Sequence, residues 1–381
     1  MNEIYLDHAA TSFPKAPGVG QAVAQFLEQR AVNINRGSYE GAVEGALEVL
    51  SARQALCALF SFGGDARQCA FSSGVTMSLN LILQGLAKEG DHILISAMEH
   101  NAVARTAELL KTRGVQVEVV PCDETGRVIP EQFEAMLRPN TVLAAIQHAS
   151  NVSGTVQPLK ELGKLCHAHG IPLVVDAAQT AGHYPIQMDE WKLSAVAFPG
   201  HKGLLGPQGI GGAILRPELS KKICPLLTGG TGSESAKLEM PRRMPELLEA
   251  GTLNLPGICG LGKALSYIES TGIEALQTHE RSLTERFMQS LRDNPHISIP
   301  GPDENGRVGV VSVRFLRRDN AEAAFLLEQD YGILTRCGLH CAPLAHKTLG
   351  TFPEGTVRFS FGPSTTVEEI DAAIKAIEAI C

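Results

Sequence analysis

The 381-residue chain lacks most of the features that would take it outside the ordinary globular enzymes. Glycine (38) and proline (21) are too few for a fibrous or disordered chain. No run of Lys or Arg stands out against a formal net charge of −8, which argues against a nucleic-acid or anionic-membrane surface. No apolar stretch reaches the roughly 18 residues that a membrane span needs, and MNEIYLDHAAT has no basic segment followed by an apolar one. The expectation is a soluble, cytoplasmic protein whose partners are small molecules or proteins. The nine cysteines are odd in number and irregularly spaced, so they are expected to be reduced thiols, any of which is available as a nucleophile. Repeats and low-complexity tracts are absent too, which leaves the order of elements to define the organisation.

That order is informative. The length exceeds a usual single domain, so a large α/β domain with a smaller second one is expected. Between about residues 66 and 215 the β-rich runs CAFSS, HILIS, VQVEVVP, TVLAAIQHAS, PLVVDAA, AVAFPG and GGAILR alternate with helical stretches such as Thr76–Lys88. Such alternation predicts βαβ crossovers and a mostly parallel, seven-stranded sheet. Small or polar residues follow the strand ends, where open α/β sheets bind ligands. Residues 15–60 read as helices leading into this domain, and 229–246, GGTGSESAKLEMPRRMPE, as a surface loop. After about residue 256 a long helix leads to a smaller α+β domain with strands VGVVSVRFL, ILTRCG and TVRFSF and a closing helix Thr366–Ile380. The expected division is 15–256 for the large domain and 1–14 with 257–381 for the small one.

The strongest local signal is LVVDAAQTAG followed by AFPGHKGLLGPQG. One strand delivers Asp176 to its carboxyl end and another delivers His201-Lys202 into a glycine-rich turn, placing a carboxylate and an amine at one sheet edge. Pyridoxal 5′-phosphate needs that pair: an amine for a Schiff base, and a carboxylate to keep the pyridine nitrogen protonated. In FSSGVTMSLNL, Gly74, Val75 and Thr76 open a helix whose free N–H groups suit a phosphate, although a plain N-cap has the same composition. Arg358, alone in an apolar strand, reads as a clamp for a carboxylate or as half of a structural ion pair.

From YLDHAAT to VRFSF the chain resembles the cysteine desulfurase and selenocysteine lyase branch of the class V aminotransferases, of pyridoxal-phosphate fold type I. The resemblance implies Lys202 as the cofactor lysine and Asp176 as partner of the pyridine nitrogen. It further implies His100 in SAMEHNAV stacked on the ring, Gln179 on the phenolic oxygen, Asn151 near that oxygen or the substrate, and Gly74, Val75, Thr76 and His201 at the phosphate. Asn151 and Gln179 also fit as turn formers, and His100 as a surface residue. Arg358 takes the substrate carboxylate. Arg36 in NRGSYEG and Thr252 in EAGTLN match positions that reach the phosphate from a second subunit, which implies a C2 homodimer.

LTRCGLHCAPLAHKTLG resembles the R-x-G-x-x-C-A motif of group II members, here Arg336, Gly338, Cys341 and Ala342, on a short, ordered loop. The implied activity is transfer of sulfur from L-cysteine to Cys341, leaving alanine and a persulfide for a protein sulfur or selenium acceptor; release of selenide from L-selenocysteine is the alternative. Cys341 then needs a lowered pKa, for which Arg336, His340 and His346 are the nearby candidates. A zinc site of Cys337, Cys341 and His340 wants a fourth ligand that the spacing does not supply, so no metal is expected. A relay through Cys337 stays open. A plain aminotransferase or a cofactor carrier has no use for this thiol. The chain departs from the family at Pro199, where many group II members have a serine, and in a shorter 229–246 loop.

Overall fold

The computed structural model describes residues 3–30, 32–34 and 39–381. Along the chain, strand β1 (Ile4–Tyr5) precedes helices α1 (Val19–Gln29) and α2 (Glu40–Leu59). The expected alternation follows as β2 (Cys69–Ser72), α3 (Val75–Leu86), β3 (His92–Ser96), α4 (Asn101–Lys111), β4 (Gln116–Val120) and α5 (Pro130–Ala135). It continues through β5 (Thr141–Gln147), α6 (Leu159–Ala168), β6 (Leu173–Asp176), β7 (Ala195–Pro199) and β8 (Gly211–Leu215). Short α7 (Pro217–Ser220) comes next, residues 229–246 form neither helix nor strand, and α8 (Leu255–Thr271) runs into α9 (Ile273–Leu291). The remaining elements are β9 (Ile297–Ser298), β10 (Val310–Phe315), α10 (Asn320–Tyr331), β11 (Ile333–Leu334), β12 (Arg336–Gly338), α11 (Pro343–Thr348), β13 (Thr356–Ser360) and α12 (Val367–Ile380).

All seven runs read as strands pair in one sheet, in the order β2-β8-β7-β6-β5-β3-β4. Only β8 runs against its neighbours, β2 and β7. Strands β3, β6, β7 and β8 are buried along their whole length, which is why they read as continuous apolar runs rather than as alternating ones. One face packs on α1, α2, α6 and α8 through residues such as Leu56, Leu162 and Leu261, and the other on α3 and α4 through Leu79, Ile82 and Val103. Each face thus has its own core, and the layered α/β class follows from this double burial.

A second, antiparallel sheet has the order β12-β13-β10-β9 and its own core, in which Phe287 of α9 meets Phe359 and Phe361. The run ILTRCG, expected as one strand, divides at Thr335. Ile333 and Leu334 pair with β1, whereas Arg336–Gly338 pair with β13. The N-terminal segment supplies a partner that a strand pattern cannot reveal, and the change of partner sets Arg336 opposite Arg358. The closing helix is capped as its sequence suggests, Thr366 and Glu369 bonding each other's main-chain N–H.

Inside the large sheet's edge an ion pair is buried. Arg53 of α2 reaches Glu249 at 2.8 Å and lies over the Phe71 ring, while Glu249 also accepts from the Phe71 N–H at 2.6 Å. Both side chains are 6% exposed, so neither charge is tolerable alone. Arg53→Ala is expected to lower stability by about 3–5 kcal/mol in chemical denaturation, and Arg53→Met with Glu249→Leu by distinctly less. Equal losses in the two proteins would show that the pair's charges are not what matters.

Candidate active site

Strand order creates the site. From β3 the chain goes outward to β4 and then back past β3 to β5, β6 and β7, so the order reverses between β3 and β5, where open α/β sheets bind ligands. His100 follows β3, Asn151 follows β5, Asp176 ends β6 with Gln179 just beyond, and His201-Lys202 follows β7. β2 runs parallel to these strands across β8, so Gly74, Val75 and Thr76, at the start of α3, end at the same edge. Gly211 at the start of β8 permits this: a Cβ there would come within 2.7 Å of the Gly74 Cα.

Burial tunes the charges. It pushes the Lys202 amine down to about 8; Asp176 opposes this and Arg358 and Arg336 add to it. It raises the Asp176 carboxyl, opposed by the Ala178 N–H at 2.9 Å and by Lys202. His100 caps α4, its Nδ1 accepting from the Ala102 N–H at 3.0 Å, so its proton sits on Nε2. Burial, then Lys202 and Arg336, lower it to about 4, and a neutral ring therefore faces the lysine. His201 is likewise lowered to about 4, by burial and by Lys202; its Nδ1 is 3.1 Å from the Thr11 hydroxyl and its carbonyl accepts from Lys15. The Gln179 amide donates to the Ala9 carbonyl at 3.2 Å.

The second sheet contributes the arginines. Arg358 is 1% exposed; its Nη2 is 2.5 Å from Asp7 Oδ1, its Nη1 donates to the Asn151 carbonyl at 3.2 Å, and its buried Nε has no partner among the described residues. The ion pair offered as one reading of Arg358 is therefore present, and one N–H of the same guanidinium is still unmatched. Asn151 donates to the His340 carbonyl at 2.6 Å and its buried Oδ1 is also unmatched.

Cys341 lies on the turn that Asn151 holds. Its carbonyl accepts from the Asn101 N–H at 2.8 Å, next to His100, and the Arg336 Nη2 is 4.0 Å from its Sγ. His340 and Cys341 both have left-handed backbone angles, φ 48° and 58°, which side chains rarely adopt. This anchored turn exposes the thiol while burying its neighbour His340. Of the three cations considered for activating Cys341, only Arg336 remains. Burial lowers His340 to about 2 and His346 to about 4, so both rings are neutral. Cys337 is half-buried, and burial raises its thiol. Among the described residues no group of three or more His, Cys, Asp or Glu is placed to hold a metal ion, and no helix is long and apolar enough to cross a membrane. Thr252 is exposed and follows Gly251; Arg36 lies outside the described residues.

Two acids escaped the sequence reading. Asp7 stood in YLDHAAT without a partner in view. Glu99, beside His100, is fully buried: its Oε1 accepts from the Ser96 hydroxyl at 2.5 Å and the Gln147 N–H at 3.0 Å, and its Oε2 has no partner among the described residues. An acid within an otherwise apolar strand end was the available signal. Burial pushes Glu99 up to about 8, opposed by its hydrogen bonds and aided by Asp176.

The sequence profile of the family "Aminotransferase class-V" matches residues 4–373. A probable cysteine desulfurase of Methanothermobacter thermautotrophicus is 32% identical over 386 residues, covering 100% of this chain and 95% of the relative. The apo structure of a cysteine desulfurase from Thermococcus onnurineus superposes with a TM-score of 0.91 at 30% identity, covering 99% of this chain and 94% of that one. The cysteine desulfurase CsdA of Escherichia coli, in an S-sulfonic acid form, gives a TM-score of 0.89 at 28% identity, with the same coverage.

Glu99 provides a test of the site's electrostatics. Unfolded, it ionises near its ordinary 4.5; folded, it keeps its proton up to about 8. Between these values the folded state binds more protons, so stability falls as pH rises. The thermal midpoint of wild type is expected to decline relative to Glu99→Gln between about pH 5 and 8 and to run parallel to it above. Parallel curves throughout would mean that Glu99 is charged in the fold.

Proposed function

The chain belongs to the class-V aminotransferase family, and we propose that it is a pyridoxal-phosphate enzyme, a cysteine desulfurase that converts L-cysteine to L-alanine and receives the sulfur as a persulfide on Cys341. The single observation that carries this reading is the anchored Cys341 turn, with Arg336 near its sulfur and Arg358 opposite Arg336, beside the strand ends that hold Lys202 and Asp176.

The residues present fit the cofactor. A depressed amine, a buried carboxylate, a neutral imidazole and a helix N-terminus with Gly74, Val75 and Thr76 are its complementary set. Lys202 would hold it covalently, Asp176 would keep the proton on its ring nitrogen, His100 would lie on the ring, and Gln179 and Asn151 would face its phenolic oxygen. His201, with Arg36 and Thr252 of a second subunit, would complete the phosphate site of a C2 homodimer. Bound there, pyridoxal phosphate supplies an electron sink for negative charge developed at the substrate's Cα.

The chain's own groups do the rest. Arg358 binds the substrate carboxylate with the N–H that the fold leaves unmatched, and Asn151 Oδ1 lies next to it. Lys202 Nζ, unprotonated in a useful fraction near neutral pH because of its lowered pKa, takes the Cα proton. Cys341 Sγ, beside Arg336, loses its proton as it forms a bond to the substrate sulfur and the Cβ–S bond breaks; that electron pair goes to Cβ, which takes a proton. Lys202 Nζ returns the proton to Cα, alanine leaves, and the persulfide is passed to an acceptor protein. We further assign residues 15–256 to a large domain and 1–14 with 257–381 to a small one, so that substrate is bound between them.

Purified protein with pyridoxal phosphate is expected to form alanine from L-cysteine. Lys202→Ala should lose borohydride-trappable cofactor, and Cys341→Ala should keep the cofactor but lose cysteine turnover; full turnover in Cys341→Ala sinks the nucleophile assignment. Wild-type activity confined to L-selenocysteine would make it a lyase instead. Arg358→Lys, which keeps a charge but not the planar fork, should raise KM for L-cysteine about tenfold with a smaller change in kcat. An unchanged KM would leave Arg358 with Asp7 alone.

A further inference from the structure

Next to Lys202 the two sheets' parts meet around a cavity of about 30 Å3, room for one water molecule. His8, Gln179, His183, Lys202 and Glu280 are among its walls. His183 follows the Gln179 turn, and Glu280 belongs to α9, on the other side of the junction. His183 Nδ1 is 2.8 Å from Glu280 Oε2, an ion-pair contact without the angle of a hydrogen bond, and both side chains are nearly buried. Glu280 is itself fixed, because its Oε1 accepts from the Gly309 N–H at 2.7 Å, at the entry to β10.

The ring sits tightly under the lysine. A Cβ at Gly203, the residue after Lys202, would overlap the His183 ring and the Ala181 carbonyl, and one at Gly182 would overlap the Gly203 main chain. The turn bearing Gln179 and the turn bearing Lys202 are therefore in main-chain contact, with the His183 imidazole wedged against both. Leu204, Leu205 and Ile210, just beyond the lysine, are buried in the core on one face of the large sheet.

We propose that His183, held by Glu280 across the junction, is a positioning residue that fixes the Lys202 and Gln179 turns and so links the placement of the second sheet's part to the cofactor's surroundings. Burial weighs against a charged His183 ring, but Glu280 and the Gln179 carbonyl outweigh it and raise its pKa. The other ionisable groups around the pair are His8 and His148, with Lys202 on the same cavity and Lys15 beyond His8; burial holds His8 and His148 neutral, at about 4 and about 3, and brings Lys15 down to about 8. Glu280 is thus the anion that pairs with His183.

The inference rests on the reading that Lys202 and Gln179 hold the cofactor, and the test separates the two. Wild type, Glu280→Gln, His183→Asn and Glu280→Asp are loaded with pyridoxal phosphate. Visible absorption is followed from about pH 6 to 10, together with kcat and KM for L-cysteine and the thermal midpoint. Glu280→Gln and His183→Asn are expected to move the pH midpoint of the absorption and to lower kcat on the order of tenfold at nearly constant KM, and Glu280→Asp to recover most of both. An unchanged absorption midpoint and kcat beside a lower thermal midpoint would reduce the pair to a structural tie and overturn the proposal. Should the variants fail to fold, 15N-histidine NMR of the wild type decides: His183 should titrate above its ordinary 6.5, and a ring neutral throughout overturns the proposal. A wild type that takes up no cofactor overturns the cofactor reading, and this one with it.

Discussion

Arg358 cannot be buried alone, and much of the site's architecture follows from how its charge is satisfied. A guanidinium at 1% exposure needs a counter-charge and hydrogen-bond acceptors, which come from Asp7 near the N-terminus and from the Asn151 carbonyl after β5. One side chain on the second sheet thereby ties down the N-terminal segment and the loop of the large sheet. Asn151 in turn holds the His340 carbonyl and with it the turn that presents Cys341. The unmatched Nε marks where this network has capacity for a ligand.

The same low-dielectric surroundings set the protonation pattern. Desolvation weighs against charge on Lys202, His100, His201 and His340 and on Asp176 and Glu99 alike, so the surroundings hold every ionisable group of the cluster closer to its neutral form than water would. Arg358 and Arg336 bring guanidinium groups into the same surroundings, and Asp7 pairs with the first of them. Such surroundings strengthen the interaction of the guanidinium groups with any anion that enters, and a lysine lowered to about 8 gives up its proton more readily than one in water.

Much of this was legible without a structure. The strands of the large sheet were readable because burial on both faces makes them continuous apolar runs, and Lys202 and Asp176 because an amine and a carboxylate follow two such runs at one sheet edge, whereas Asn151 came from the family resemblance. ILTRCG was misjudged because its two halves take different partners, one of them β1, more than 300 residues earlier. Asp7, Glu99, His183 and Glu280 were missed for a related reason: a buried acid or imidazole is meaningful only beside its partner, and the partners of Asp7 and His183 lie on distant segments.

What the sequence by itself determined is therefore the order and type of the elements, the class of the fold, the candidate lysine, carboxylate and thiol, and the family to which they belong. The elements and the fold class follow from periodicity, the lysine and carboxylate from residue types at strand ends, and the thiol and the family from the motifs that the chain shares with known enzymes. Only the tertiary structure decided which charges neutralise each other, which imidazoles are neutral, that Arg336 is the cation beside Cys341, and that one buried arginine retains an unmatched donor. The physical reason is that desolvation and Coulomb interaction depend on distances between segments remote in sequence, and those distances exist only once the sheets have packed.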